Sequence, residues 1–210
     1  MINIDTFVLG AVKTNCYLLS NPETKEGILI DPADDAEYII KCILEKEINV
    51  KGIYLTHGHF DHMLVASAVA SEFRVPICCL QAEKEVAEST LWNLSDYFGY
   101  SCIVTPNVLL ADGVELEVLG TKMRVLHTPG HTKGSGCYYF VEEGILFSGD
   151  TLFFESVGRT DFPTGNERVL EQSIQEKLYV LPEETKVYAG HGPSTTIGYE
   201  KKNNMLVKAK

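Results

Sequence analysis

Residues 51–62 read KGIYLTHGHFDH and contain the strongest signal for both the fold and a functional site. Its first half is short and largely apolar, which predicts a buried strand. Its second half places three imidazoles and a carboxylate within six residues, at His57, His59, Asp61 and His62. Alternate side chains of an extended chain share a face, so the first three can converge while a turn brings the fourth round. Neutral imidazoles at this density indicate a metal site.

Three further predicted strand ends each carry a histidine or an aspartate. The segments TPGHT, SGDT and GHGP place His131, Asp150 and His191 there. One such residue alone would be an ordinary turn former. Four strand ends that each deliver His or Asp are how a metal site is assembled on an α/β scaffold. His127 precedes the first of these turns inside an apolar strand, and we interpret it as a buried or supporting histidine with a satisfied ring nitrogen.

The pattern around these motifs alternates strands and helices and then closes with strands. The first half predicts strands at 4–9, 15–20 and 27–31, a helix near 38–46, a helix at 64–73 and a strand at 76–80. The second half predicts strands at 123–127, 136–141 and 145–148, a final helix at 166–178, a strand at 185–189 and a polar tail. This order predicts an α/β fold of two packed mixed β-sheets flanked by helices, an αββα sandwich.

Composition and charge exclude several classes of protein. The 210 residues contain no linker-like segment, which predicts a single domain over residues 1–210. The net charge of −11 disfavours nucleic acid and anionic membranes as partners. The N-terminus lacks the pattern of a secretory signal, and no apolar run reaches the roughly 20 residues of a membrane helix. We therefore expect a cytoplasmic protein with reduced cysteines and no membrane partner.

The motifs HGHFDH, TPGHTKGS, SGDTLF and YAGHGPST, in this order and spacing, resemble the metallo-β-lactamase fold superfamily. The resemblance is strongest to its glyoxalase II-like, or hydroxyacylglutathione hydrolase-like, members in a short form, and it covers nearly the whole chain. It implies two zinc ions held by two sets of ligands and a bridge: His57, His59 and His131; Asp61, His62 and His191; and Asp150. Asp61 would also be catalytic, because it orients the nucleophile.

The resemblance implies a dinuclear zinc hydrolase of small acyl-thiols, such as S-lactoylglutathione. Coordination lowers the pKa of water to about 7, and the departing thiolate is a good leaving group. Arg159 matches the cationic position of the loop that meets glutathione, which makes it the candidate substrate-binding residue. Asp161 replaces a tyrosine of that loop, and we expect the helical domain that supplies most glutathione contacts to be missing, because only about a score of residues follow His191. Another acyl-thiol therefore stays open as the substrate, as does a surface Arg159–Asp161 pair.

Two other functions also stay open. Persulfide dioxygenases of the superfamily carry a similar GRTDF loop and hold one iron, for which His57, His131 and Asp150 would form the triad. Iron or a mixed iron–zinc centre is therefore the alternative cofactor. A non-catalytic zinc-stabilised module is disfavoured, because structural zinc sites are usually closed Cys/His tetrads. Antibiotic hydrolysis is not expected, because typical B1 β-lactamases have Cys where Asp150 stands and are exported.

Overall fold

The computed structural model describes residues 2–209 as two six-stranded mixed sheets with helices outside them. The first sheet has the order β1-β2-β3-β4-β5-β6, from β1 (Asn3–Leu9), β2 (Thr14–Ser20), β3 (Glu26–Ile30), β4 (Asn49–Tyr54), β5 (Ile77–Leu80) and β6 (Val108–Leu110). The second has the order β14-β13-β10-β9-β8-β7, from β7 (Glu115–Val118), β8 (Thr121–His127), β9 (Gly136–Phe140), β10 (Ile145–Gly149), β13 (Lys186–Ala189) and β14 (Thr195–Thr196). A small hairpin joins β11 (Leu152–Phe153) to β12 (Ser156–Val157).

The helices lie mainly on the outer faces of the two sheets. They are α1 (Ala36–Glu45), α2 (Phe60–Met63), α3 (Ala66–Phe73), α4 (Lys84–Ala87) after a 3-10 turn (Gln81–Glu83), α5 (Glu167–Ser173) with a π-helical last turn (Ile174–Leu178), and α6 (Ile197–Asn203). None of the helices within residues 2–209 is both long and apolar enough to cross a lipid bilayer.

Three apolar layers hold these elements together. Ile39 of α1 and Val69 of α3 pack on the outer face of the first sheet. Residues from both sheets fill the layer between them, where the rings of Tyr17 and Phe147 lie 5.0 Å apart. Leu170 of α5 belongs to a third layer on the outer face of the second sheet. The predicted αββα sandwich is therefore confirmed.

Backbone hydrogen bonds bring the functional strand ends together. The Gly136 N–H of the second sheet donates to the Thr56 carbonyl, which follows β4 of the first sheet, at 2.8 Å. The Asn15 N–H of β2 donates to the Gly190 carbonyl at 2.7 Å, and the Gly190 N–H donates to Gly149 at 2.8 Å. The ends of strands from both sheets therefore meet at one edge of the sandwich.

The prediction that the helix near 166–178 is the last one was wrong. Residues 197–203 form α6, and the hydroxyl of Thr196 caps it by accepting from the Tyr199 N–H. Ile197 is buried against the second sheet, and the buried Glu200 accepts a hydrogen bond from Thr195 at 2.6 Å. The inward face of α6 therefore includes a polar residue, Glu200, beside Ile197, so the composition of the segment does not show that it packs.

Candidate metal centre

Three imidazoles meet in the first half of the centre. Nε2 of His131 lies 3.2 Å from Nε2 of His57 and 2.9 Å from Nδ1 of His59. Each residue is at most 3% exposed. Burial, reinforced for His57 and His59 by neighbouring imidazoles, lowers the pKa of all three rings. They are therefore neutral near pH 7, which is the form that binds metals.

Hydrogen bonds behind two of these rings fix where their lone pairs point. Nδ1 of His131 lies 2.7 Å from the Arg159 carbonyl, which can only accept, so Nδ1 carries the proton. The Thr56 hydroxyl donates to Asp31 at 2.6 Å and therefore accepts from Nδ1 of His57 at 3.1 Å. Nε2 of His131 and Nε2 of His57 therefore carry no proton, and each presents a lone pair. Two lone pairs 3.2 Å apart repel each other unless a cation lies between them.

The second half of the centre combines a carboxylate with two imidazoles. Nε2 of His62 and Nε2 of His191 lie 3.4 Å apart, and each lies 3.4 Å from Oδ2 of Asp61. Burial opposes charge on His191, but hydrogen bonds to Asp150 and Asp61 raise its pKa to about 11. Burial also opposes charge on His62, yet the surrounding carboxylates raise its pKa to about 9. This half of the centre therefore requires positive charge, which protons or a cation can supply.

Asp150 lies between the two halves. Its Oδ2 is 3.6 Å from Nε2 of His131 in the first half and 3.5 Å from Nε2 of His191 in the second. Burial would raise the pKa of Asp150, but the charges of His62 and its neighbours lower it to about 2. Among the residues that the structure describes, none donates a hydrogen bond to its buried Oδ1. A buried anionic oxygen without a donor is costly, so the donor set fits a cation.

Gly190, which follows β13, lets its backbone lie directly against the side chains of Asp150 and His62. A Cβ atom on it would stand 2.6 Å from Cε1 of His62 and closer still to Oδ1 of Asp150. Any larger residue would therefore push these two side chains out of the centre.

The centre is open to solvent on one side. The side chains of His191, Asp61 and Asp150 are 27%, 16% and 11% exposed, whereas His62 is fully enclosed. The centre is therefore accessible from solvent along the edge that Asp61 and His191 form.

The structure brings all seven predicted metal-ligating residues into this centre and leaves the side chain of Arg159 outside it. The Arg159 guanidinium is exposed, bonds Asp161 through Nε and Nη2 at 2.7 Å each and lies 3.8 Å over the ring of Phe162. Its link to the centre is its backbone carbonyl, which holds His131. The roles of the seven ligands and of the Arg159 side chain stay predictions.

His127 also lies outside the centre. Its Nε2 is 3.0 Å from the Lys133 carbonyl, and the residue lines a separate cleft of about 680 Å³. The histidine therefore has a satisfied ring nitrogen, and it supports the loop that follows rather than facing the seven residues.

Sequence reasoning missed three polar side chains that orient the centre. Oδ2 of Asp31 lies 2.9 Å from Nδ1 of His62, and the Thr14 hydroxyl donates to Asp61 at 2.8 Å. Glu83 is completely buried behind two of the histidine loops. Asp31 had a signal, because it ends the predicted strand at 27–31, but the sequence it opens, DPADD, is equally typical of an ordinary turn. Thr14 and Glu83 had none.

The sequence model of the metallo-beta-lactamase superfamily matches residues 9–191, which include both halves of the centre. The chain belongs to the metallo-beta-lactamase superfamily. Membership confirms the family resemblance of the motifs, and it gives the chain a metallo-hydrolase fold whose clustered His and Asp residues can hold metal ions.

Several members of the superfamily are similar to the chain over its full length. The hydroxyacylglutathione hydrolase GloC of Haemophilus influenzae is 35% identical, and the match covers 100% of both chains. The crystal structure of the B3 metallo-beta-lactamase BLEG-1 has a TM-score of 0.92 at 38% identity and covers 99% of both chains. The di-iron-bound form of TTHA1623 has a TM-score of 0.85 at 32% identity, over 97% of this chain and 100% of that one.

Proposed function

We propose that this protein is a dinuclear zinc hydrolase of thioesters, with S-lactoylglutathione or a smaller acyl-thiol as substrate. The proposed ligands are His57, His59 and His131 for the first ion, Asp61, His62 and His191 for the second, and Asp150 for both. One observation carries the proposal: Asp150 is an anion whose buried Oδ1 accepts no hydrogen bond from the described residues, and it lies between the neutral imidazoles of the first half and the Asp61, His62 and His191 side chains of the second. The similarity to GloC supports the thioester as substrate.

The residues of the centre suit the hydrolysis of a thioester. Two bound metal ions supply a water of lowered pKa and polarise a carbonyl oxygen. Asp61 accepts from Thr14, which fixes its carboxylate at the open edge, where it can hold a water in line with a carbonyl carbon. A thiol has a pKa of about 8.5, so the thiolate departs without a dedicated general acid.

The surroundings of the centre suggest how a thioester lies in it. A small cavity of about 60 Å³ opens beside Asp61, and Phe60, Leu64, Phe98 and Tyr100 contribute to its walls. It suits a short, apolar acyl group and has no room for a tripeptide. Arg159 adjoins the other half of the centre through His131, so the thiol portion would extend over the surface on that side.

All six cysteines are free, which supports a reducing, cytoplasmic setting for the protein.

Metal analysis combined with enzyme assays tests the proposal. We expect two zinc ions per chain and hydrolysis of S-lactoylglutathione or a simple acyl-thiol, which a chelator abolishes and added zinc restores. His59→Gln, which removes one proposed ligand, is expected to be inactive. The proposal would be wrong if the protein held one iron per chain, consumed oxygen with a persulfide and hydrolysed no thioester. The protein would then be a dioxygenase.

A second candidate is the hydrolysis of β-lactams, which the similarity to the B3 enzyme BLEG-1 favours. A β-lactam amide would use the same water and the same polarised carbonyl, but its nitrogen leaving group needs a proton. A chromogenic cephalosporin assayed beside the thioester on one preparation decides between them. We expect kcat/KM to be higher for the thioester.

A further inference from the structure

Glu83 is a carboxylate with no exposed surface that collects hydrogen bonds from two loops. Its Oε1 accepts from the Gly58 N–H at 2.7 Å, and its Oε2 accepts from the Gly134 N–H at 2.9 Å. The Thr132 hydroxyl lies 2.8 Å from one oxygen and 2.9 Å from the other. Three donors therefore converge on one side chain that belongs to neither loop.

The two bonded loops are those that carry the first cluster of imidazoles. Gly58 stands between His57 and His59, and Thr132 directly follows His131. Glu83 itself lies in the 3-10 turn after β5, and its hydrogen bonds go to the loops rather than to the three rings. Its hydrogen bonds therefore set how far apart the two loops stand, and so how closely the rings approach each other.

The packing around Glu83 leaves the loops little freedom to shift. A Cβ atom on Gly134 would stand 2.6 Å from Cα of Glu83 and closer still to its backbone nitrogen. This loop is therefore pressed against the turn that carries Glu83, and the carboxylate lies at the contact.

The chemistry of this buried position explains why it holds a carboxylate. Burial raises the pKa of Glu83 to about 7, so it costs free energy to keep this carboxylate ionised. A glutamine of the same shape has one acceptor oxygen and one NH₂ group, which would face an N–H on one of the loops. Only a carboxylate accepts from both loops at once.

We propose that Glu83 is a positioning residue for the first metal ion, because its hydrogen bonds hold the loop of His57 and His59 against the loop of His131. The inference rests on the metal centre proposed above and concerns metal affinity, which is measured without a substrate. Supporting partners of metal ligands typically change affinity about 10- to 100-fold when they are replaced.

Stepwise metal binding by Glu83→Gln, in competition with a chelator, tests the inference. We expect the affinity for one of the two zinc ions to fall about 10- to 100-fold and the other to change little. The pattern should match that of His131→Ala, which removes a first-site ligand, and differ from that of His191→Ala. Glu85→Gln is the matched control, because this exposed carboxylate pairs with Lys133 of the same loop from outside. Its affinities should equal those of the wild type.

Replacements of Thr132 keep the test decisive if Glu83→Gln fails to fold. Thr132→Val removes one donor to Glu83 and should weaken the same metal site, whereas Thr132→Ser keeps a hydroxyl and should restore it. Unchanged affinities in Glu83→Gln and Thr132→Val, or an equal loss at both sites, would overturn the inference. A wild type that binds two metals but hydrolyses no thioester would refute the proposed function alone, and Glu83 would still be tested.

Discussion

Oδ2 of Asp31 lies 2.9 Å from Nδ1 of His62, while Nε2 of the same ring faces Asp61 and Asp150. Asp31 also accepts from the N–H and the hydroxyl of Thr56, at 2.8 and 2.6 Å. It is buried with a φ of 51°, in the left-handed region that non-glycine residues seldom adopt. Such backbone geometry persists where the surroundings enforce it, here three donors around one carboxylate.

We expect Asp31→Asn to weaken metal binding about 10- to 100-fold while the protein stays folded. The amide can turn its NH₂ group toward Nδ1 of His62, which then carries no proton, and the proton moves to Nε2 where a metal would bind. Metal affinity measured by chelator competition checks this. Glu37→Gln, on the exposed side of α1, should behave as the wild type. If Asp31→Asn bound metal as tightly as Glu37→Gln and the wild type, the Asp31 carboxylate would not determine which nitrogen of His62 carries the proton.

Asp150→Ala is expected to lose hydrolysis and at least one metal ion, because the carboxylate faces imidazoles of both halves of the centre. His127→Ala should keep both metals and most activity, since that ring bonds the Lys133 carbonyl outside the centre. Metal content and turnover of the two variants are the measurement. Normal metal content in Asp150→Ala together with loss in His127→Ala would reverse the ligand assignment.

The seven clustered residues could be predicted because each follows a strand end or lies in one short motif. In the second sheet β10 and β13 are parallel neighbours, and β8 runs in the same direction as β10 because both are antiparallel to β9, so the ends of these strands share one edge. Asp31 satisfies the same rule after β3, yet the turn-like DPADD concealed it. Only the folded chain shows that the ring of His62 turns toward it.

Other parts of the centre have no signature in the sequence. Glu83 lies in QAEKEVAE, whose polar composition resembles that of a solvated surface, and only long-range packing buries it. The contact that orients His131 is the backbone carbonyl of Arg159, a group that every residue possesses. Sequence reasoning singled out the correct position there and considered only its side chain.

The melting temperature of the metal-free protein is expected to fall as the pH rises from 6.5 to 9. The carboxylates around His62 and His191 raise their pKa values to about 9 and about 11, from 6.5 in an ordinary histidine. The stabilisation is therefore complete below pH 6.5 and is lost as the pH rises through the folded values. Added zinc should flatten the profile, because metal replaces these protons.

Thermal unfolding of chelator-treated and zinc-loaded protein across this pH range checks the prediction. His191→Gln removes one of the two histidines, so its metal-free form should show a shallower decline. A melting temperature that rises with pH in the metal-free wild type would contradict the assignment of these protons.

Arg159 and Asp161 form an ion pair in the structure, whereas the sequence left a substrate contact and a surface pair both open for Arg159. The bidentate bond to Asp161 occupies the Nε–Nη2 edge of the guanidinium, one of the two edges that can grip a carboxylate of glutathione. If Arg159 binds this anion, the substrate competes with Asp161 for it. We therefore expect Arg159→Ala to raise KM for S-lactoylglutathione about twofold to fivefold with little change in kcat, and Asp161→Ala to lower this KM.

A neutral acyl-thiol should respond to neither change. Both variants keep the backbone carbonyl that holds His131, so metal content should stay constant and serve as the control. Initial rates on the two substrates at low and high salt measure the effect, since added ions screen an exposed charge. Equal rises in KM for both substrates would assign Arg159 to holding its loop, and no change in either would remove it from substrate binding.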